Sequence, residues 1–324
     1  MEIYQKLKEK LGENLQENEE MKQYSTFKLG GPAKYFFIAK NKRDIVKAVK
    51  VAKELSLDFF ILGGGSNILV SDSGYSGLVI KIENREIKIN GETIKADSGT
   101  TLEKVTSLAA QNALSTMEWA SGIPGTVGGA VRGNAGAYGA DTSNNILEVE
   151  VYDIEKDRVV IMENSECGFE YRESIFKKDK NLIILGAVFQ LQKGDKEEIK
   201  SKILENAKAR ICSQPKFPSV GCNFKNIIIT PEIKKKLKEI IPEIESKIKG
   251  GKMGAALLID QADLKGHKIG GVKVSDEHAN FIVKFQEDGT AQNVFDLINY
   301  VKNKIKERYG IELEEEVQCV GFTG

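Results

Sequence analysis

The chain has 324 residues, 41% of them hydrophobic, enough to bury a sizeable core and to divide into two or three domains. Lysine plus arginine and aspartate plus glutamate each number 47, so the formal net charge is zero and no global field recruits nucleic acid or an anionic membrane. No apolar run is long enough to span a bilayer, and Cys167, Cys212, Cys222 and Cys319 have neither CxxC nor metal-ligand spacing, which fits reduced cytoplasmic thiols and argues against disulfides or a metal site.

Met1 to Glu20 is charged and carries Tyr4, Leu7 and Leu11 at helical spacing, so an amphipathic helix is predicted, without the apolar block of a signal peptide. Tyr35 to Ile38 is a predicted strand, Asp44 opens a helix with Ile45, Val46, Val49, Ala52 and Leu55 on one face, and Phe59 to Leu62 is the next strand. This unit ends in Gly63-Gly64-Gly65-Ser66-Asn67, at a strand's carboxyl end, where α/β structures place ligand-binding loops. Gly77 to Ile82 is expected as a strand, Glu86 to Lys95 as a hairpin turning at Asn90-Gly91, and Thr101 to Ala113 as a short helix. Two strands fill 146–161 around the turn Glu155-Lys156-Asp157, another runs from Leu182 to Leu191, and a helix from Asp195 to Arg210 bridges to a third region. That region holds a lysine-rich helix, Glu232 to Ile241, strands near Gly270 to Val274 and Phe281 to Val283, and a helix from Ala291 to Tyr309, with no internal repeat or low-complexity linker.

Seven glycines lie between Gly122 and Gly139, in Gly122-Ile123-Pro124-Gly125-Thr126-Val127-Gly128-Gly129-Ala130 and Gly133-Asn134-Ala135-Gly136-Ala137-Tyr138-Gly139. Glycine offers no side chain to pack, so this segment is expected to build no core and to serve where backbone turns through positive φ or lies against a ligand. Successive N–H groups in a glycine turn form a concave nest for phosphate oxygens, with Ser66 and Asn67 adding hydrogen bonds at the edge of the first loop. Two bare-backbone surfaces point to one large, flat, anionic ligand. There is no G-x-x-x-x-G-K-[ST], and neither segment gives G-x-G-x-x-G opening a helix after a first strand, so a dinucleotide here would bind outside the P-loop and Rossmann schemes.

Five segments in order, Thr26 to Ala33, Leu62 to Val70, Gly122 to Gly139, Tyr171-Arg172-Glu173-Ser174 and Gly221-Cys222-Asn223-Phe224-Lys225-Asn226, resemble the UDP-N-acetylenolpyruvoylglucosamine reductase family over nearly the whole chain. The resemblance implies an α+β fold: a vanillyl-alcohol-oxidase-type FAD-binding module of two subdomains plus a C-terminal α/β substrate domain. Residues 1–82 form the first subdomain, to which the strand 311–324 is expected to return, 83–200 the second, and 201–310 the substrate domain. It places FAD on Gly63, Gly64, Gly65, Ser66, Asn67, Gly122, Ile123, Pro124, Gly125, Thr126, Gly129, Asn134, Ala135 and Arg210. Substrate contacts fall to Tyr171, Lys225 and Asn226. The implied reaction is cytoplasmic, belongs to peptidoglycan precursor synthesis, uses NADPH as co-substrate and reduces an enolpyruvyl ether to a lactyl ether. The expected partner is a sugar nucleotide bound by a monomer, with no nucleic acid and no membrane.

Reduction of an enolpyruvyl group builds negative charge beside its carboxylate, which calls for fixed positive charge. Arg172 is the implied residue, since a guanidinium stays charged and matches a carboxylate in bidentate fashion. The proton that follows comes from a serine in most family members, where this chain has Cys222. A free thiol, with a pKa of about 8.5, is largely protonated at neutral pH and is a stronger acid than an alcohol. The resemblance places the glutamate that polarises the substrate in Leu313-Glu314-Glu315-Glu316-Val317, at Glu316 because it directly precedes the terminal apolar strand, with Glu314 and Glu315 as the adjacent alternatives.

Other departures are Ile227 where proline is usual, Asp263 for glycine, Glu277 for lysine, and a longer segment from Ile227 to Lys252, whose Lys234-Lys235-Lys236 run reads as a solvated helix face. The short spacing from Arg172 to Cys222 suggests the family's second subclass, which lacks an extra tyrosine-bearing loop over the substrate. His267 and His278 are too isolated for a metal site or a triad and are assigned structural or peripheral roles. The residues alone also admit a different flavin oxidoreductase of this fold, or a nucleotide-binding protein without catalysis.

Overall fold

In the computed structural model, which describes residues 2–322, the polar run Leu15–Glu20 is a strand and not the second half of a helix. The helix Glu2–Leu11 stops at Gly12, whose φ of +80° glycine adopts without strain. Leu15 then turns into the core. Met1, predicted helical, lies outside the described residues.

The chain divides into two compact units. The first comprises the chain up to Glu19, Ala33–Gly65 and Tyr75–Cys212. Its first sheet has the order Leu15–Glu20, Pro32–Ala39, Tyr75–Ile82, Phe59–Leu62. Pro32–Ala39 and Phe59–Leu62 both run parallel to Tyr75–Ile82, which lies between them, so the predicted strand-helix-strand unit has a later strand inserted into it. The helix Lys42–Glu54 begins two residues before Asp44, because Asn41 is the cap and accepts from the Asp44 N–H at 3.0 Å. Its face of Ile45, Ala48, Val49 and Ala52 joins Leu7, Tyr35, Phe37, Leu78 and Ile80 in one core.

A second core belongs to the five-stranded antiparallel sheet Arg158–Glu163, Ile146–Asp153, Leu182–Gln190, Thr93–Asp97, Ile87–Asn90. The predicted hairpin is present, with Asn90 paired to Thr93 across Gly91-Glu92. The glycine-rich segment contains a helix, Val127–Gly133, whose Val127, Ala130 and Val131 are buried in this core. The expectation that nothing there builds a core is therefore corrected: the glycines share a helix with apolar residues that recur at helical spacing, and Gly128 packs against Ser98.

The second unit comprises Glu20–Pro32, Ser66–Gly74 and the chain from Ser213 onward. Residues 20–32 and 66–74, assigned from sequence to the first subdomain, pack here, whereas the helix Lys196–Ser213, which crosses the expected boundary at 201, packs in the first unit. The unit is organised on the helix Ala291–Tyr309, capped by a Thr290/Asn293 box and ended by Gly310 at φ +63°. The Asp72 carboxylate accepts from the Ala291 and Gln292 N–H groups, both at 2.9 Å, placing negative charge at the helix's positive end. The strands Ile68–Val70 and Gln318–Val320 pair in parallel; residues 323 and 324 of the expected terminal strand lie outside the described residues. The long segment 227–252 is closed by pairing of Ile227–Ile228 with Lys252–Met253 and holds the helices Pro231–Ile240 and Ile244–Lys247, which with the cap residue Ile241 bury Leu237 and Ile244. Among the described residues no helix is long and apolar enough to cross a membrane.

Candidate active site

In the first unit the two glycine segments meet. A Cβ on Gly63 would lie 2.7 Å from Thr126 Oγ1, and one on Gly64 would lie 2.9 Å from the Gly125 Cα. Neither position has room for a side chain, which explains the glycines at the carboxyl end of the strand Phe59–Leu62. Gly65, Gly122 and Gly125 take φ values of +66°, +69° and +137°, backbone that other residues rarely adopt. Thr126 caps the helix Val127–Gly133 by accepting from the Gly129 N–H, and the Gly125 carbonyl accepts from the Leu102 N–H at 3.1 Å. Gly64, Gly122, Pro124 and Gly129 remain exposed. The result is a backbone surface edged by glycine, able to offer N–H donors to an anionic dinucleotide. Ser66 and Asn67, the next residues along the first loop, belong to the second unit.

Arg172 sits at φ +58° in a turn held from several directions. Glu170 and Glu173 exchange backbone hydrogen bonds of 3.1 Å, Lys177 Nζ donates to the Arg172 carbonyl at 2.6 Å, and Asn134 Nδ2 donates to the Glu170 carbonyl at 2.9 Å. The guanidinium lies over the Tyr171 ring at 5.4 Å and donates through Nη2 to the Gly136 carbonyl at 2.9 Å. A left-handed arginine costs about 1–3 kcal/mol and persists only where its surroundings over-determine it. The glycine segment supplies much of that constraint, so the predicted cofactor and carboxylate residues form one assembly.

Asn134, Ala135 and Arg210, three of the predicted cofactor residues, also make contacts within the protein. The Asn134 side chain is engaged by protein, donating to Glu170 and accepting from the Ser143 N–H at 3.0 Å, and Asn134 is the left-handed cap of its helix at φ +39°. Ala135 offers its carbonyl to Thr142 through both N–H and Oγ1. Arg210 packs on bare backbone: its Cδ lies 3.0 Å from where a Cβ on Gly122 would be, its Nε donates to the Ser121 carbonyl at 3.0 Å, and its guanidinium covers the Tyr138 ring at 5.3 Å.

In the second unit a short ladder carries Cys222, Lys225 and Glu316. After Gly221, at φ +83°, Cys222 bridges to Phe281, the Asn223 N–H donates to the Asn280 carbonyl at 2.8 Å, and the Asn280 side chain brackets Phe224, accepting from its N–H at 3.0 Å and donating to its carbonyl at 2.8 Å. On the other edge the Glu316 N–H donates to the Asn223 carbonyl and the Lys225 N–H to the Glu314 carbonyl, both at 2.8 Å. Asn67 Nδ2 donates to the Glu316 carbonyl at 2.9 Å, tying the first glycine loop's continuation to this ladder.

The three adjacent acids separate here. Glu314 pairs with the buried Lys225 at 2.5 Å and Glu315 with Lys302 of the long helix at 2.6 Å, so Glu315 is engaged away from the Lys225 side. Asn226 is exposed at the end of the ladder.

None of the four cysteines is in a disulfide. Burial pushes the Cys167 thiol up to about 12, and burial followed by Glu315 pushes Cys319 up to about 11, which makes both inert. Cys222 is half-exposed. His267 stacks on Tyr300 at 4.2 Å, and His278 accepts from the Asn280 N–H through Nδ1 at 3.2 Å while burial pulls its pKa down.

Sequence reasoning missed two basic residues in the first unit. Arg132, on the glycine-segment helix, is pulled down by burial with Glu173 opposing. Lys81 donates to the Gly63 carbonyl, and burial pulls its pKa down as well. The available signal was a lysine inside the buried run Leu78-Val79-Ile80-Lys81-Ile82.

A family model of the FAD binding domain matches residues 33–162, and one described as UDP-N-acetylenolpyruvoylglucosamine reductase, C-terminal domain, matches residues 214–320. The UDP-N-acetylenolpyruvoylglucosamine reductase of Caldanaerobacter subterraneus is 37% identical over 322 residues, 98% of each chain. That of Fervidobacterium nodosum is 38% identical over 303 residues, 93% of this chain and 90% of its own. The crystal structure of UDP-N-acetylenolpyruvylglucosamine reductase from Thermus caldophilus is similar at a TM-score of 0.73 and 29% identity, covering 93% of this chain and 97% of that one. The α+β fold with a vanillyl-alcohol-oxidase-type FAD-binding module, and FAD as cofactor, accord with these matches. On identity and coverage together, the chain belongs to the UDP-N-acetylenolpyruvoylglucosamine reductase family.

Proposed function

We propose that this protein reduces the enolpyruvyl group of UDP-N-acetylglucosamine-enolpyruvate to the lactyl group of UDP-N-acetylmuramate, with NADPH as reductant, as a cytoplasmic monomer in peptidoglycan precursor synthesis. FAD, when bound, supplies the two-electron relay between nicotinamide and substrate. The two glycine segments would hold it: Gly63, Gly64, Gly65, Ser66 and Asn67 from one, Gly122 to Thr126, Gly129, Asn134 and Ala135 from the other, with Arg210 closing over Gly122. The two cores of the first unit correspond in this reading to two FAD-binding subdomains and the second unit to the substrate domain.

The reaction adds a hydride to the terminal carbon of the enol ether and a proton to the carbon bearing the ether oxygen and the carboxylate. Arg172 binds that carboxylate and stabilises the charge that develops on it, with Tyr171 supporting the guanidinium through its ring. Cys222 delivers the proton as general acid. Glu316 orients the path of that proton, and Asn226 and Lys225, the latter paired with Glu314, hold the sugar or diphosphate.

The observation that carries this reading is the Arg172 turn, a left-handed arginine braced by Lys177, Asn134 and Gly136. Backbone strain held so firmly at a charged residue is characteristic of a working site. The test is a steady-state assay on the purified yellow protein: NADPH oxidation is expected to depend on the enolpyruvyl sugar nucleotide. Oxidation at the same rate with and without that substrate overturns the assignment.

A further inference from the structure

Lys81 is an unusual residue for its place in the fold. It lies on the strand Tyr75–Ile82 opposite Leu62, in a run where Leu78, Val79 and Ile80 are fully buried. An ammonium pulled out of water there is costly unless it makes charge-assisted hydrogen bonds. One of these goes to the Gly63 carbonyl, the first peptide of the glycine loop.

The geometry of that peptide turns the contact into a functional one. No described peptide bond is cis, and in a trans peptide the carbonyl and the following N–H point in opposite directions from one plane. With the Gly63 carbonyl drawn back onto Lys81, the Gly64 N–H is turned the other way. Gly64 is exposed, and among the described residues its N–H has no hydrogen-bond partner. Gly63 and Gly64 are packed against Thr126 and Gly125 with no room for even a methyl group.

We propose that Lys81 is a positioning residue for FAD: by holding the Gly63 carbonyl it aims the Gly64 N–H at the cofactor's diphosphate and sets a fixed positive charge behind the loop. The inference rests on the reading that the Gly63–Gly65 loop holds FAD. It also accounts for a lysine inside a core strand. The loop's own glycines have no side chain with which to attract an anion, so the charge comes from the neighbouring strand. Burial, which lowers the pKa of this ammonium, also keeps its field from being screened by water.

The experiment is FAD titration of the flavin-stripped full-length protein, followed by flavin fluorescence at several salt concentrations, with apo-protein melting measured alongside. Lys81→Met is expected to weaken FAD binding by about tenfold or more, the usual worth of one charge-assisted hydrogen bond, and to flatten the salt dependence of binding. Its apo form should melt close to the wild-type temperature, because removal of a part-buried charge offsets the donor lost by the Gly63 carbonyl. Lys81→Arg should recover most of the affinity. If Lys81→Met does not fold, Lys81→Gln, a neutral donor, is expected to flatten the salt dependence with a smaller loss of affinity. Unchanged affinity and salt slope in the folded variant would overturn the proposal, as would a loss of affinity accompanied by a matching fall in apo stability. Wild-type apo-protein that takes up no FAD overturns instead the reading on which the proposal rests.

Discussion

The first unit presents backbone edged by glycine, the second side chains carried on a ladder. In the first, Gly63, Gly64 and Gly125 are required because nothing larger fits and because the turns need positive φ; the cradle is defined by what is missing. In the second, Cys222, Lys225 and Glu316 are placed by ordinary cross-strand hydrogen bonds among Asn223, Phe224, Asn280 and Glu314. A backbone site should fail abruptly when any side chain is added. A ladder site should tolerate substitution except at the group that reacts.

The sharpest way to test that contrast is Arg172→Gly, since Arg172 is a side-chain residue on a glycine-like backbone. The substitution removes the guanidinium and relieves the φ +58° strain. kcat is expected to fall by about a hundredfold to a thousandfold, the usual loss on removing a group that stabilises developing charge, while the melting temperature holds or rises. A large drop in melting temperature would mean the arginine is there for structure.

Gly64→Val should break the first unit's cradle. Its Cβ would meet the Gly125 backbone, so overpacking of about 1–3 kcal/mol is expected, together with loss of the yellow flavin on purification. Retention of stoichiometric flavin would show that the loops do not form the cofactor surface. Asn280→Ala is the matching change in the second unit. It removes both side-chain bonds that bracket Phe224 and should cost about 2 kcal/mol in denaturant unfolding, slowing flavin reoxidation by substrate with FAD affinity unchanged. Equal damage to FAD affinity would erase the distinction between the two regions. The smallest effect is expected for Glu314→Gln, whose carboxylate is 70% exposed in its pair with Lys225. Such pairs contribute under about 1 kcal/mol, so stability should barely move and KM for the sugar nucleotide should rise by only a few-fold.

Much of this was legible in the chain. The strand Phe59–Leu62 and the helix Ala291–Tyr309 have the bounds that periodicity gives them, because both are apolar runs punctuated by glycine or a cap. The glycine loops were legible for the same reason: composition records a backbone requirement directly. The helix Val127–Gly133 was hidden because three glycines obscure the spacing of Val127, Ala130 and Val131. The strand Leu15–Glu20 was hidden because one inward leucine among polar residues looks like the tail of an amphipathic helix. Sheet order was not readable either, since the insertion of Tyr75–Ile82 between two earlier strands depends on contacts distant in sequence. Lys81 and Asn280 escaped notice because each acts by holding another residue's backbone, which leaves no motif of its own.

Stopped-flow measurement of the two half-reactions tests whether Cys222 supplies the proton while the flavin chemistry is otherwise intact. Cys222→Ala should reduce its flavin with NADPH at the wild-type rate and reoxidise it with the enolpyruvyl sugar nucleotide more slowly by about two to four orders of magnitude, with Cys222→Ser retaining measurable turnover. Reoxidation of Cys222→Ala at the wild-type rate would assign the proton to another group.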